Sequence, residues 1–157
     1  MPALKLTGSD RFAEGACFYT DNLSSDRQNR RLVIPVYFGD EDDYSLAIVD
    51  TGSQWCILDP RHAATLEAAV TMKSKAEGRV LIRGTWYGGE LWRMPIRLVA
   101  DRGTAVRVDA TIFVAEVPED SDWTLPDFLG LDGFLDRIRF AVDPEENLFY
   151  FGALGDA

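Results

Sequence analysis

The sequence predicts a mainly β domain with one or two short helices. Strand-length runs rich in apolar and aromatic residues recur along it, glycine and acidic turns separate them, and only one early stretch opens with helix-start chemistry. Its 157 residues are enough for one hydrophobic core and too few for two comfortable ones. The expected organisation is an N-terminal arm over 1–30, a single domain over 31–152 and a short tail over 153–157.

Taken in order, residues 1–30 show neither sustained alternation nor helical period, which suits an arm and a loop. Leu32 to Phe38 reads as a strand, closed by Gly39 and the acidic turn Asp40-Glu41-Asp42-Asp43, and Tyr44 to Val49 returns as its hairpin partner. Pro35 within the first strand belongs at an edge or bulge, because proline has no amide to give the ladder. Asp59-Pro60 has the signature of a helix start, with a capping carboxylate and proline at the first helical position, and His62 to Val70 continues it. Residues 79–83 and 91–99 are strands around a glycine-rich hairpin tip, Gly84 to Gly89, and Val106 to Val114 is a strand entering the core. Pro118 to Pro126 is a polar loop. Asp132 to Ile138 suits a short amphipathic helix with Asp132 as its cap. Phe140 to Val142 and Leu148 to Phe151 make a closing hairpin around Asp143-Pro144-Glu145-Glu146-Asn147.

Charge and composition narrow the function classes. Hydrophobic residues make up 46% and charged residues 27%, ordinary values for a folded globular chain. Twenty-six acidic against sixteen basic residues leave a net charge of −10, which repels nucleic acid and anionic membranes, so neither is expected as a partner. With no basic region leading into an apolar stretch at the start and no span of bilayer length, a cytoplasmic location is expected. Cys17 and Cys56 lack metal-ligand spacing and are expected as reduced thiols. His62, the single histidine, excludes a multi-histidine metal site and is expected to face solvent. The acidic turn at 40–43 lacks the glycine and terminal glutamate of a calcium loop. No metal and no cofactor are expected.

The chemistry concentrates at Asp50. An apolar strand delivers this carboxylate into Thr51-Gly52-Ser53, a tight turn whose amides and hydroxyls can hydrogen-bond it. A plain polar turn uses the same residue types, so the tripeptide by itself says little. The wider context says more. Ala47-Ile48-Val49-Asp50-Thr51-Gly52-Ser53, followed by Phe128-Leu129-Gly130 and then Leu131 to Arg137, resembles the retropepsin-like aspartic peptidases, in particular their bacterial single-domain members. The likeness spans residues 30–152.

That resemblance implies a closed β-barrel with a flap hairpin, and a homodimer in which Asp50 of each protomer contributes one of two catalytic carboxylates. Thr51 and Gly52 complete the catalytic turn, Ser53 borders the substrate, and Phe128, Leu129 and Gly130 form the second structural motif behind it. Gly84 to Gly89 is then the flap. Trp86 and Tyr87 at its tip, with Gly88 and Gly89, either touch substrate or pack on their own protomer. The implied substrate is a peptide or unfolded protein segment. The alternative is a catalytically inactive dimer of the same fold that binds protein or peptide. The chain departs from retroviral relatives in carrying Gln54 and Leu131 where an acidic residue and an arginine brace the active-site loop. Arg83 and Arg93 flank the hairpin as expected surface charges.

Overall fold

The structure is a computed structural model that describes residues 12–21 and 30–155. The strands are β1 (Gly15–Phe18), β2 (Val33–Phe38), β3 (Ser45–Val49) and β4 (Cys56–Ile57), then, after helix α1 (Pro60–Thr65), β5 (Met72–Lys75), β6 (Val80–Ile82), β7 (Thr85–Tyr87) and β8 (Gly89–Leu98). β9 (Arg102–Gly103), β10 (Val106–Ala115), β11 (Asp127–Leu129), β12 (Ile138–Asp143) and β13 (Leu148–Ala153) complete the chain.

Six strands close on themselves in the order β2-β3-β11-β4-β10-β8 and back to β2. The long strand β8 makes closure possible. One edge runs along all of β10, while the other edge pairs with β2 at Arg97 and Ile96 and with β5 from Arg93 to Glu90. Closure removes the free edges that an open sheet would expose. The mainly β closed barrel with a short helix and a hairpin is the fold class that the sequence predicts. No helix among the described residues is long and apolar enough to cross a membrane.

The barrel strands are apolar on both faces, and this decides where the site lies. Ile34, Ala47, Cys56, Ile112 and Leu129 point into the main core. Their chain neighbours Val33, Ile48, Ile57, Phe113 and Phe128 point the other way and join Ile82 and Trp123 in a second cluster. A strand buried on both faces reads as a continuous apolar run rather than an alternating one, as Leu32 to Phe38 does. The second cluster is a cap on the barrel, covered by the hairpin β6–β7 and by the loop following β10.

Local chemistry sets most boundaries. The amides of Val33 and Thr20 exchange hydrogen bonds on the side of β2 away from β3, and β8 reaches that side only at Tyr37. Pro35 falls between these two contacts, where no strand asks for its missing amide. Asp59 caps α1 as expected, accepting the Arg61 amide at 2.9 Å with Pro60 in the first turn. The helix is shorter than the predicted run to Val70. The Thr65 hydroxyl donates back to the His62 carbonyl at 2.7 Å, α-helix ends there, and a single 3-10 turn covers Glu67–Ala69.

Two further expectations about the fold need correction. Gly15–Phe18, within the predicted arm, is a strand that pairs with β13 and β9 in a second sheet of order β12-β13-β1-β9. Its four residues are too few to show a period, and long-range pairing alone defines them. The remainder of the arm, residues 1–11 and 22–29, lies outside the described residues, as do 156–157 of the tail. The helix predicted over 132–138 is a 3-10 turn of three residues, Leu135–Arg137. Asp132 does not cap it. The Leu131 and Asp132 amides are committed to the Ser53 and Gln54 carbonyls, Gly133 turns at φ +86°, and Asp136 accepts the Gly133 amide instead.

Candidate active site

β3 and β11 run parallel, with Ala47, Ile48 and Val49 opposite Asp127, Phe128 and Leu129. The ladder continues one residue further, where the Asp50 amide donates to the Leu129 carbonyl at 3.0 Å. Beyond it the chain turns back. The Ser53 amide donates to the Asp50 carbonyl at 3.1 Å, and the Gly52 amide donates to Asp50 Oδ1 at 2.9 Å. That bond orients a half-buried carboxylate. An added Cβ on Gly52 would stand 3.2 Å from the same oxygen, so a side chain there would push the carboxylate by a few tenths of an ångström.

The loop is braced from behind by backbone. The Leu131 amide donates to the Ser53 carbonyl at 2.8 Å and the Asp132 amide to the Gln54 carbonyl at 2.7 Å, while Gln54 Nε2 reaches Asp132 Oδ2 at 3.4 Å. Ser53 Oγ donates to the Trp55 carbonyl at 2.8 Å. These bonds hold the loop between Ser53 and Trp55 against the segment at Leu131 and Asp132. Gly130 allows the close passage: its Cα faces the Trp55 carbonyl, and a methyl there would lie 2.2 Å from the oxygen.

A cleft of about 340 Å³ opens over Asp50. Asp50, Gly52, Ser53 and Phe128 form part of its wall. Arg31 from the segment preceding β2 and Ile57 from β4 border it, and Leu81, Ile82 and Arg83 come from the hairpin. Thr51 lies exposed beside it, and Leu129 is fully buried behind.

The hairpin is built differently from the expectation. β6 and β7 pair Val80 with Tyr87, Leu81 with Trp86 and Ile82 with Thr85, so the tip is the two-residue turn Arg83-Gly84. Both residues have positive φ, +46° and +86°, as a type I′ hairpin turn requires. Trp86 and Tyr87 therefore sit on the returning strand. Trp86 is 60% exposed and outside the cleft lining, while Tyr87 packs edge-on against Trp123 at 5.5 Å. Gly88 gives its carbonyl to the Glu116 amide at 2.9 Å. Gly89 is buried where β8 meets β10, with room for no Cβ beside the Val114 carbonyl.

Arg83 is exposed, as expected of a surface charge, and it also borders the cleft, with its guanidinium 5.5 Å from the centre of the Phe128 ring. The signal was present in the sequence, since Arg-Gly stands between the two strand-forming triplets Val80-Leu81-Ile82 and Thr85-Trp86-Tyr87. Arg31 has no comparable local signature. Arg93 behaves as expected, facing Asp109 at 3.8 Å on the surface.

Behind the loop, His62 does not face open solvent. Its Nε2 lies 2.6 Å from Glu41 Oε1, its Nδ1 4.0 Å from Asp127 Oδ2, and its ring stands edge-on to Phe38. Burial raises the Asp127 carboxyl above its ordinary range even though it accepts the Asp59 amide at 3.2 Å. Cys17 and Cys56 are buried free thiols, both pushed up to about 12, chiefly by desolvation.

No family model and no curated protein matches the chain. Among solved structures it is similar to EIAV protease complexed with an inhibitor, at 19% identity and a TM-score of 0.43, over 68% of this chain and 88% of that one.

Proposed function

We propose that the chain is an aspartic endopeptidase of the retropepsin-like type, active as a homodimer on peptides or unfolded protein segments. The observation that carries this reading is Asp50 itself. Its carboxylate is oriented by the Gly52 amide at 2.9 Å, on a loop bound to the Phe128-Leu129-Gly130 strand, in a cleft beneath a hairpin.

Asp50 is the one carboxylate lining that cleft among the described residues; Asp132 is turned toward Gln54. A twin subunit supplies the second. Thr51 and Gly52 are exposed, and Leu131 next to the loop is 43% exposed, which leaves that face open to an isologous partner. Two Asp50 carboxylates within hydrogen-bonding distance of one another would share a proton, the behaviour for which the aspartic-protease dyad is the standard example. The ionised member takes a proton from a water held between them, that water attacks the scissile carbonyl, and the protonated member donates to the developing oxyanion. The substrate lies extended, and the hairpin closes over it to exclude bulk water. The proposed setting is the bacterial cytoplasm.

The test combines sedimentation of the purified protein with cleavage of a random peptide library across pH. We expect a dimer and a bell-shaped profile on the acid side of neutral. Asp50→Asn keeps an acceptor for the Gly52 amide, so it should fold normally and lose at least ~10²-fold in cleavage rate. A monomer at assay concentrations, or an Asp50→Asn variant that cleaves as well as wild type, overturns the proposal; the second result would favour the non-catalytic binding module.

A further inference from the structure

The charges in the Asp50 cleft are unusual for this molecule. Two guanidinium groups border it, Arg31 from the segment preceding β2 and Arg83 from the hairpin turn, against the single carboxylate of Asp50. The chain as a whole carries twenty-six acidic and sixteen basic residues. Among the described residues Arg30, Arg61 and Arg93 each face a carboxylate; Arg31 and Arg83 do not, and neither do Arg97 and Arg137, which donate to backbone carbonyls instead. The rest of the lining is largely apolar, with Ile57, Leu81, Ile82 and Phe128.

Arg83 adds an independent observation. It occupies the left-handed region at φ +46°, in a turn position that glycine, asparagine or aspartate fills at lower cost. A strained residue at a cleft is a reason to ask what its side chain does there. Here the turn holds the guanidinium over the face of Phe128, at the rim of the cleft that contains Asp50. A guanidinium backed by an aromatic face and lacking a carboxylate partner is suited to bidentate capture of one.

Resting on the peptidase reading, we infer that the cleft selects acidic peptides: a Glu or Asp side chain next to the scissile bond is held by Arg83, with Arg31 adding to the field. The overall negative charge of the protein opposes this approach at long range, so the selectivity is local and short-ranged.

The test uses the full chain and two synthetic decapeptide pools, random apart from a fixed central Glu in one and Gln in the other. Binding is read by fluorescence anisotropy on Asp50→Asn protein, and cleavage separately on wild type. The Asp50→Asn background makes the cleft more positive, so the decisive comparison is with and without Arg83. We expect about tenfold tighter binding of the Glu pool, as one charge-assisted contact gives. Arg83→Gln should remove most of that preference, Arg83→Lys should keep a smaller and more salt-sensitive part, and Arg31→Gln should reduce it. Equal affinity for the two pools, binding of neither, or a preference untouched by both Gln substitutions overturns the inference. If the Glu pool is preferred through Arg83 while wild type cleaves neither pool, the peptidase reading fails and the acidic subsite stands.

Discussion

Replacing Gly130 with alanine tests the architecture behind the Asp50 loop. The added methyl would lie 2.2 Å from the Trp55 carbonyl oxygen, 2.3 Å from its carbon and 2.9 Å from the Cys56 nitrogen. Favourable contact between such atoms begins at about 3.5 Å. All three neighbours are main chain, so no rotamer relieves the clash, and β11 must move away from the segment leading into β4. The adjoining bonds, Leu131 to Ser53 at 2.8 Å and Asp132 to Gln54 at 2.7 Å, loosen with it. Overpacking costs about 1–3 kcal/mol. Each weakened backbone bond costs about 1 kcal/mol more, and alanine's lower unfolded-state entropy returns roughly 0.4–1 kcal/mol. The net destabilisation is about 2–4 kcal/mol. With an unfolding entropy of about 2.1 cal/mol/K per residue, a chain of 157 residues should lose roughly 6–12 °C in Tm. Calorimetry measures the shift, and amide exchange at Leu131 and Asp132 shows whether the brace has opened. Gly78→Ala is the control: its Cβ meets nothing within 4 Å, and only its φ of +75° penalises it, by about 1 kcal/mol. A Tm for Gly130→Ala within about 3 °C of wild type, with unchanged exchange at both amides, would refute the reasoning.

The remaining predictions follow from other parts of the structure. Gly84→Ala places a side chain at φ +86° in an exposed turn. It should cost about 1 kcal/mol locally, move Tm by only a few degrees, and raise KM for peptide cleavage more than it lowers kcat, because the hairpin and not the barrel is disturbed. The buried thiols should resist chemistry. With Cys17 and Cys56 near 12 against an ordinary 9, the thiolate fraction at pH 8 falls about 10³-fold, and a disulfide reagent such as DTNB should label native protein far more slowly than urea-unfolded protein. The linkage has a definite sign. A thiol whose value is raised on folding contributes stability that is complete below about 9 and is lost as pH rises toward about 12, so urea midpoints should fall across that alkaline window. A Cys17→Ser, Cys56→Ser double variant with the same alkaline slope would contradict this.

Among what the sequence by itself determined are the elements governed by near neighbours. Asp50 after an apolar strand and before Gly52, the Asp59-Pro60 helix start, the hairpin around Asp40 to Asp43 and the closing hairpin after Phe140 all depend on chemistry within a few residues. Hydrogen bonds such as Gly52 to Asp50 and Arg61 to Asp59 span two positions along the chain, so a local reading finds them. Tertiary structure alone decided the rest. Whether Gly15–Phe18 is a strand depends on β13, more than a hundred residues away. His62 is placed by Glu41 and Asp127 on two other elements, and the helix at Asp132 is forestalled by carbonyls of Ser53 and Gln54. The cleft gathers Arg31, Asp50, Arg83 and Phe128 from four separate segments. Closing the barrel brings those segments together, and its order is set by which apolar faces bury one another, a global property that no window of the sequence contains.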